Sequence, residues 1–266
     1  MQIVFLYFRD HMNSIKFLGT AGARFVVSQQ LRKSGGIWLT LDDTNVLIDP
    51  GPGTLIRCLS SKPKLDPRDL DGIILTHRHL DHSNDINIMI EAMTNGGWNK
   101  KGTIFSPKDA LDNDPVILKY VRKYVENIEV LKEKKEYKIK NIYFTTPVKH
   151  HHHGVETYGL NIYGKKSSIS FISDTAYFEG IEKFYTEAIL IMNVTRMQEN
   201  KKIEHLTISD AEKIIQANKP KIAILTHFGM TIVKSKPWDL AEKLSEKLGV
   251  KVVAASDGMQ INLDEY

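Results

Sequence analysis

Seven residues, THRHLDH (Thr76–His82), directly follow the apolar run GIIL (Gly72–Leu75). A short apolar run bounded by polar residues reads as a buried strand. His77, His79, Asp81 and His82 therefore stand where the chain leaves the core. On a continuing strand, alternation puts residues 77, 79 and 81 on one side. A turn into the following helix swings His82 round to the same point. Three imidazoles and a carboxylate with that reach suit a borderline divalent cation such as zinc. A polar loop that collects these residues by chance, immediately after a strand, is the weaker explanation.

The rest of the chain has the size to carry such a site. Its 266 residues, 42% of them apolar, can bury a large core as one α/β domain or two smaller ones. Cys58 is the single cysteine, which excludes an internal disulfide or a cysteine-built zinc site and fits a reducing cytoplasm. The apolar run IVFLYF near the N-terminus is too short to span a membrane. Residues 1–12 read as an N-terminal extension and 13–266 as one domain of two similar halves, with Met12 as a second candidate start. The net charge of +4 is compatible with an anionic substrate but is a weak sign of nucleic-acid binding.

Apolar patterning predicts strands at Ser14–Leu18, Gly36–Leu41, Asn45–Ile48 and Asp69–Leu75, then a helix over His82–Met93. NGGWNKKG reads as a glycine-rich turn, and Pro115–Asn127 has helical spacing. Three short strands are expected within Val130–Val148. Further strands are expected at Leu160–Tyr163, Ser168–Ser173, Ile189–Val194, Ile222–Leu225, Val250–Ala254 and Met259–Leu263, with helices at Thr207–Ala217 and Pro237–Leu248. Antiparallel strands flanked by helices, twice over, predict a layered α/β domain. Between the halves lies HHHH, His150–His153. Strand alternation pairs residue 150 with 152, or 151 with 153, and does not choose between them.

The segment His77–His82 matches HxHxDH, and with it the chain resembles the metallo-β-lactamase superfamily. That resemblance implies a four-layer αβ/βα sandwich. It extends along the chain from Ser14 to Leu263: Asp49 in LIDPG, one of the four histidines, Asp174 in SFISDT and His227 in AILTH stand in the expected order. It implies one metal on His77, His79 and His153, and a second on Asp81, His82 and His227, with Asp174 bridging. Asp49 is implied to orient a ligand rather than bind metal. Two divalent ions, zinc or alternatively manganese or iron, would share a hydroxide as nucleophile. His153 is selected because Tyr158-Gly159 resembles the Y-G that follows the third histidine in the phosphodiesterase branch. His151 is the runner-up, and His150 and His152 are expected to pack without a metal role.

Within the superfamily, aspartate at 174 disfavours β-lactamase activity and histidine at 79 disfavours a di-iron oxidoreductase. FLGTAGAR and EHLTISDAEKIIQANKPKIAILTHF resemble ribonuclease Z. That likeness implies that His205 faces the scissile phosphate or leaving group, so Asp81 and His205 are the expected catalytic residues. Only about twenty residues separate His153 from Asp174, enough for two strands and a turn but not for the long basic arm of ribonuclease Z. SDTA and DGM, at Ser173–Ala176 and Asp257–Met259, resemble phosphoribosyl cyclic phosphate phosphodiesterases. The expected activity is phosphodiester hydrolysis on a small or nucleotide-like substrate, with RNA as a further candidate. The alternatives are a thioester or lactone hydrolase, a tRNA 3′-processing-type endonuclease, and an iron-binding redox or sensor protein. Trp98, Lys100, Lys101 and Arg196 are weaker substrate-contact candidates, Tyr158 reads as a packing residue, and a homodimer is the expected assembly if the chain associates.

Overall fold

The computed structural model describes residues 12–200 and 202–266, and the expectation of an N-terminal extension lies almost entirely outside them. The first half runs β1 (Ser14–Phe17), α1 (Ala23–Ser28), β2 (Ile37–Leu41), β3 (Thr44–Ile48), α2 (Thr54–Ser60), β4 (Gly72–Ile74), α3 (Leu80–Ser83), α4 (Ile86–Met93), β5 (Thr103–Ser106) and β6 (Asn127–Val130). The second half begins with β7 (Lys135–Ile139), β8 (Ile142–Thr146), β9 (Leu160–Tyr163), β10 (Ser168–Ile172), β11 (Ile189–Arg196), β12 (Leu206–Thr207) and α5 (Ile208–Asn218). It ends with β13 (Ile222–Thr226), α6 (Met230–Lys234), α7 (Pro237–Leu248), β14 (Lys251–Ala254) and β15 (Gln260–Asn262).

These strands form two sheets. One has the order β15-β1-β2-β3-β4-β5-β6, and the other β14-β13-β11-β10-β9-β8-β7, with the short β12 paired to β11. Alternation explains how the sheets stack. Val46 and Ile48 of β3 turn toward the other sheet, where Phe144, Leu160, Phe171 and Ile191 meet them. Leu47 turns the other way, onto Ile86, Met89, Ile90 and Met93 of the α4 segment. In the second sheet Leu190 and Met192 face Ala211, Ile214 and Ile215 of α5. Apolar contacts on both faces of each sheet give four layers, helix–sheet–sheet–helix, as the resemblance implied.

Several local expectations are corrected. The sheets are mixed rather than antiparallel: β3 to β6 run parallel, as do β10, β11, β13 and β14. Of the three strands expected within 130–148 two form, β7 and β8, which open the second sheet, while β6 ends at Val130 and closes the first. The predicted helix at 115–127 is a loop with one 3₁₀ turn, Val121–Tyr124. Side chains claim its backbone groups: Asn87 bonds Val116 and Leu118, and Arg122 donates to the carbonyls of Leu111 and Ile117. The helix expected over 82–93 is broken at Asn84-Asp85, where Asp85 N–H reaches the Pro50 carbonyl at 2.9 Å.

The end of the chain returns to the first sheet, where β15 pairs with β1. Asp257, in the loop before it, accepts from Thr20 N–H at 3.0 Å, Thr20 Oγ1 at 2.7 Å and Lys33 N–H at 2.8 Å. One carboxylate thus ties the glycine-rich loop after β1 to the closing strand. Thr20 N–H also reaches the Lys33 carbonyl at 2.9 Å, so Asp257→Ala leaves Thr20 Oγ1 and Lys33 N–H without their acceptor and should destabilise the fold by roughly 1–3 kcal/mol, measurable as a lower urea midpoint.

Candidate metal centre

The histidine and aspartate positions expected from the sequence gather at one edge of the sandwich, mostly beyond the C-terminal ends of parallel strands. Asp49 follows β3, His77 follows β4, Asp174 follows β10 and His227 follows β13. Such edges are where open parallel sheets leave room for ligands. Two of the turns are conformationally costly: Asp49 and His227 both take left-handed backbone angles, φ 52° and 58°.

The centre of the cluster is the carboxylate of Asp174, which is buried. Its Oδ2 lies 3.3 Å from His227 Nε2, 3.5 Å from His82 Nε2, 3.6 Å from His152 Nε2 and 3.5 Å from His205 Nδ1. Its other oxygen accepts from Asn193 Nδ2 at 2.8 Å. Burial opposes ionisation of Asp174, but His227, His205 and His82 outweigh it and hold the carboxyl well below its usual range. Burial also pushes His79, His152 and His205 down to about 4, so these rings are neutral near pH 7 and have lone pairs to offer.

Among the described residues four overlapping sets of nitrogen and oxygen atoms converge here; Asp49, His77 and His82 make one, His152, His153 and His205 another, and two more join the HxHxDH residues to the later histidines. His77, His79 and His152 form one, with His79 Nδ1 and His152 Nε2 facing each other at 3.0 Å. Asp81, His82 and His227 form the other, with Asp81 Oδ2 3.6 Å from His227 Nε2. Nε2 of His77, of His82 and of His227 is buried without a hydrogen-bond partner among the described residues. An orphaned buried nitrogen is costly, and three of them aimed into one cluster fit cation ligands. Asp49 does not compete for that role. Its carboxylate accepts from Thr76 N–H at 2.7 Å, Thr76 Oγ1 at 2.8 Å and His82 Nδ1 at 2.9 Å. That bond fixes the His82 tautomer that presents Nε2 inward.

The histidine run corrects one expectation. His152, not His153, stands beside His77, His79 and Asp174, whereas His153 is exposed at φ 47° with its N–H on the Glu204 carboxylate. The segment is not a strand after Thr146, yet burial keeps alternating: Ile142, Phe144, Thr146, Val148, His150 and His152 are buried. The parity of β8 therefore selects the even-numbered pair, a signal present in the sequence. Tyr158-Gly159 marks a different constraint. Tyr158 N–H reaches the Thr76 carbonyl at 3.2 Å, joining the histidine loop to the THRHLDH loop. A Cβ on Gly159 would come within 2.2 Å of Tyr185 Oη, the atom that bonds His150 Nε2 at 2.6 Å. His150 in turn packs against the centre, its Nδ1 3.2 Å from the Asp174 carbonyl.

His205 sits at the mouth, its Nδ1 3.3 Å from Thr195 Oγ1. His152 Nδ1 lies 2.9 Å from the carbonyl of Glu204, the residue before it. Thr76 and Glu204 are thus positioning residues to which motif reading gave no role, and Asn193 and Thr195, which stand where ribonuclease Z has the Glu and Thr of Glu-Ala-Thr, hold Asp174 and His205 from β11. Trp98, Lys100 and Lys101 are placed elsewhere. Their loop enters β5 beside Asp71, at the opposite end of the sheet from His77, and Trp98 is exposed. Arg196 ends β11, with its Nε 3.3 Å from the Gln198 carbonyl. His151 is exposed, with its ring against Phe178.

A sandwich of two sheets with a histidine–aspartate cluster at one edge defines a metallo-β-lactamase fold. The chain belongs to the beta-lactamase superfamily, whose domain model matches residues 44–228. It is 28% identical over 263 residues to the uncharacterized protein MJ1374 of Methanocaldococcus jannaschii, covering 94% of each chain. A ribonuclease Z of Kineococcus radiotolerans is 34% identical over 96 residues, 36% of this chain and 29% of that one. Among solved structures, the metallo-beta-lactamase fold protein YhfI of Bacillus subtilis superposes with a TM-score of 0.76 at 18% identity, covering 94% of this chain and 99% of its own. Among the described residues, no helix is long and apolar enough to cross a membrane.

Close packing around the centre generates a prediction. A Cβ on Gly22 would lie 2.1 Å from the His227 carbonyl oxygen and 2.6 Å from its ring. Gly22→Ala should displace His227 and cost about 1–3 kcal/mol, read as a lower melting temperature than wild type.

Proposed function

We propose that this protein is a metal-dependent hydrolase of phosphodiesters. The observation that carries the reading is the convergence of three partnerless imidazole nitrogens, His77 Nε2, His82 Nε2 and His227 Nε2, on a cluster centred on Asp174. One divalent ion would be held by His77, His79 and His152, a second by Asp81, His82 and His227, with Asp174 between them. Divalent ions held there, zinc for preference given the imidazole-rich donor set, would supply Lewis acidity toward a phosphoryl oxygen and acidify a water molecule.

The chain's own groups do the positioning. Asn193 occupies one oxygen of Asp174 and leaves Oδ2 directed into the cluster. Thr76 and Asp49 lock the HxHxDH loop against β3. With Nδ1 of His205 beside Thr195 and Asp174, Nε2 is the nitrogen left to hydrogen-bond the departing alkoxide.

Similarity to a ribonuclease Z over part of the chain supports a phosphodiester substrate. The span between His153 and Asp174 consists of the six-residue loop 154–159, β9, the four-residue turn 164–167, β10 and Ser173. No arm projects there to clamp a folded RNA, which favours a small or nucleotide-like phosphodiester.

A panel of bis(p-nitrophenyl) phosphate, a 2′,3′-cyclic nucleotide, a cyclic ribose phosphate, S-lactoylglutathione and a precursor tRNA, with zinc and with manganese, tests the reading. Turnover of the thioester alone would overturn it. His79→Ala, His152→Ala and His227→Ala should each lose bound metal by elemental analysis, while His153→Ala keeps the wild-type content. His205→Ala should keep its metal and lower kcat on phosphodiesters by roughly 10²–10⁴-fold. Because an ion that binds only the folded chain stabilises it, chelation should lower the melting temperature of wild type by more than that of His79→Ala, which keeps Asp81, His82 and His227.

A further inference from the structure

The outer face of β1 borders a cavity of about 270 Å³ that shares no lining residue with the metal centre. Its walls include Lys16, Lys33, Arg57 and Lys62, and no aspartate or glutamate. Ile15 and Phe17 point into the core between the sheets, so Lys16 between them points the other way. Lys16 is only 5% exposed, yet it forms no ion pair among the described residues. Its ammonium donates to the Lys62 carbonyl at 3.0 Å, which leaves two of its three N–H groups for another acceptor. Arg57, in the last turn of α2, has a buried Nε with no hydrogen-bond partner among the described residues. Asp257, next to Gly258 in the wall, is engaged by Thr20 and the Lys33 backbone.

Buried charges are ordinarily paired. Here the buried Lys16 and half-buried Arg57, with the exposed Lys33 and Lys62, share one concavity without a counter-charge in its wall, and a one-signed cleft focuses potential onto an incoming ion. The donors arrive from different directions, an ammonium from a strand and a guanidinium from a helix. A tetrahedral dianion can accept from both at once, and a guanidinium fork matches its oxygens. Chloride has one centre and a carboxylate only one plane of acceptors. We propose that this cavity binds a phosphate-type oxyanion, held by Lys16 and Arg57 with Lys33 and Lys62 at its rim.

Calorimetric titration of inorganic phosphate into the full-length protein tests the assignment, with His79→Ala separating this cavity from the metal centre. One phosphate equivalent should persist in His79→Ala and weaken at least tenfold when Arg57→Gln or Lys16→Met is added. Because Lys16 is buried, Arg57→Gln and Lys62→Gln are the decisive variants. They should keep the wild-type melting temperature and the wild-type rate on bis(p-nitrophenyl) phosphate. A 5′-nucleoside monophosphate that binds with the same residue dependence would identify an esterified phosphate as the source, and binding of inorganic phosphate alone would identify the free ion. The proposal is overturned if His79→Ala binds no phosphate, or if Arg57→Gln and Lys62→Gln bind it as wild type does.

Discussion

A buried carboxylate ringed by imidazoles is the interaction on which this structure turns. Asp174 sits 2% exposed with four histidine nitrogens within 3.6 Å of one oxygen. A carboxylate taken out of water must be paired or coordinate a cation. Several of the cluster's histidines are aimed by a neighbour: His82 by Asp49, His77 by Thr76, His152 by the Glu204 carbonyl and His205 by Thr195. Asn193 and His150 fix Asp174 from the side chain and the main chain. The cluster is a small network in which nearly every inward atom depends on an outward one.

The mixed sheets follow from the same requirement. Parallel strands deliver their C-terminal ends to one edge, so residues far apart in sequence can meet there. Helices must then cover both outer faces, and the apolar runs of β4, β11 and β13 are buried on both sides accordingly. The edge carries its own cost in the left-handed turns at Asp49 and His227 and in the close approach of Gly22 to His227. These glycine and aspartate positions sit at the site for backbone reasons as much as for chemistry.

Much of this was legible before any coordinates. HxHxDH after a strand, with Asp49 at an earlier strand end and Asp174 and His227 at later ones, marked residues that gather at one edge of the sandwich, because local apolar runs mark where strands end. Among the helices, Pro237–Leu248 matched its prediction, with proline at its first position and glycine after its last. The failures were of another kind. The helical spacing at 115–127 was overridden by Asn87 and Arg122, whose contacts cross the sequence by 29 residues and by 5 to 11. His153 was chosen over His152 by a likeness in Tyr158-Gly159, while the alternation running from Ile142 through Val148 pointed to the even-numbered residues.

Composition, strand ends and the order of histidines and aspartates along the chain were enough for the layered α/β class and for the neighbourhood of the metal centre. Which imidazole faces inward, which strands run parallel, and which carboxylate orients rather than joins the cluster were settled only when the two sheets closed on each other. Side-chain direction and hydrogen-bond partnership depend on groups distant in sequence, and those distances collapse only in the packed fold. The same holds for Lys16. As a residue it is one of many cations, and its burial without a carboxylate partner exists only because β1 lies between β15 and β2, with α2 and the loop after it forming the cavity wall.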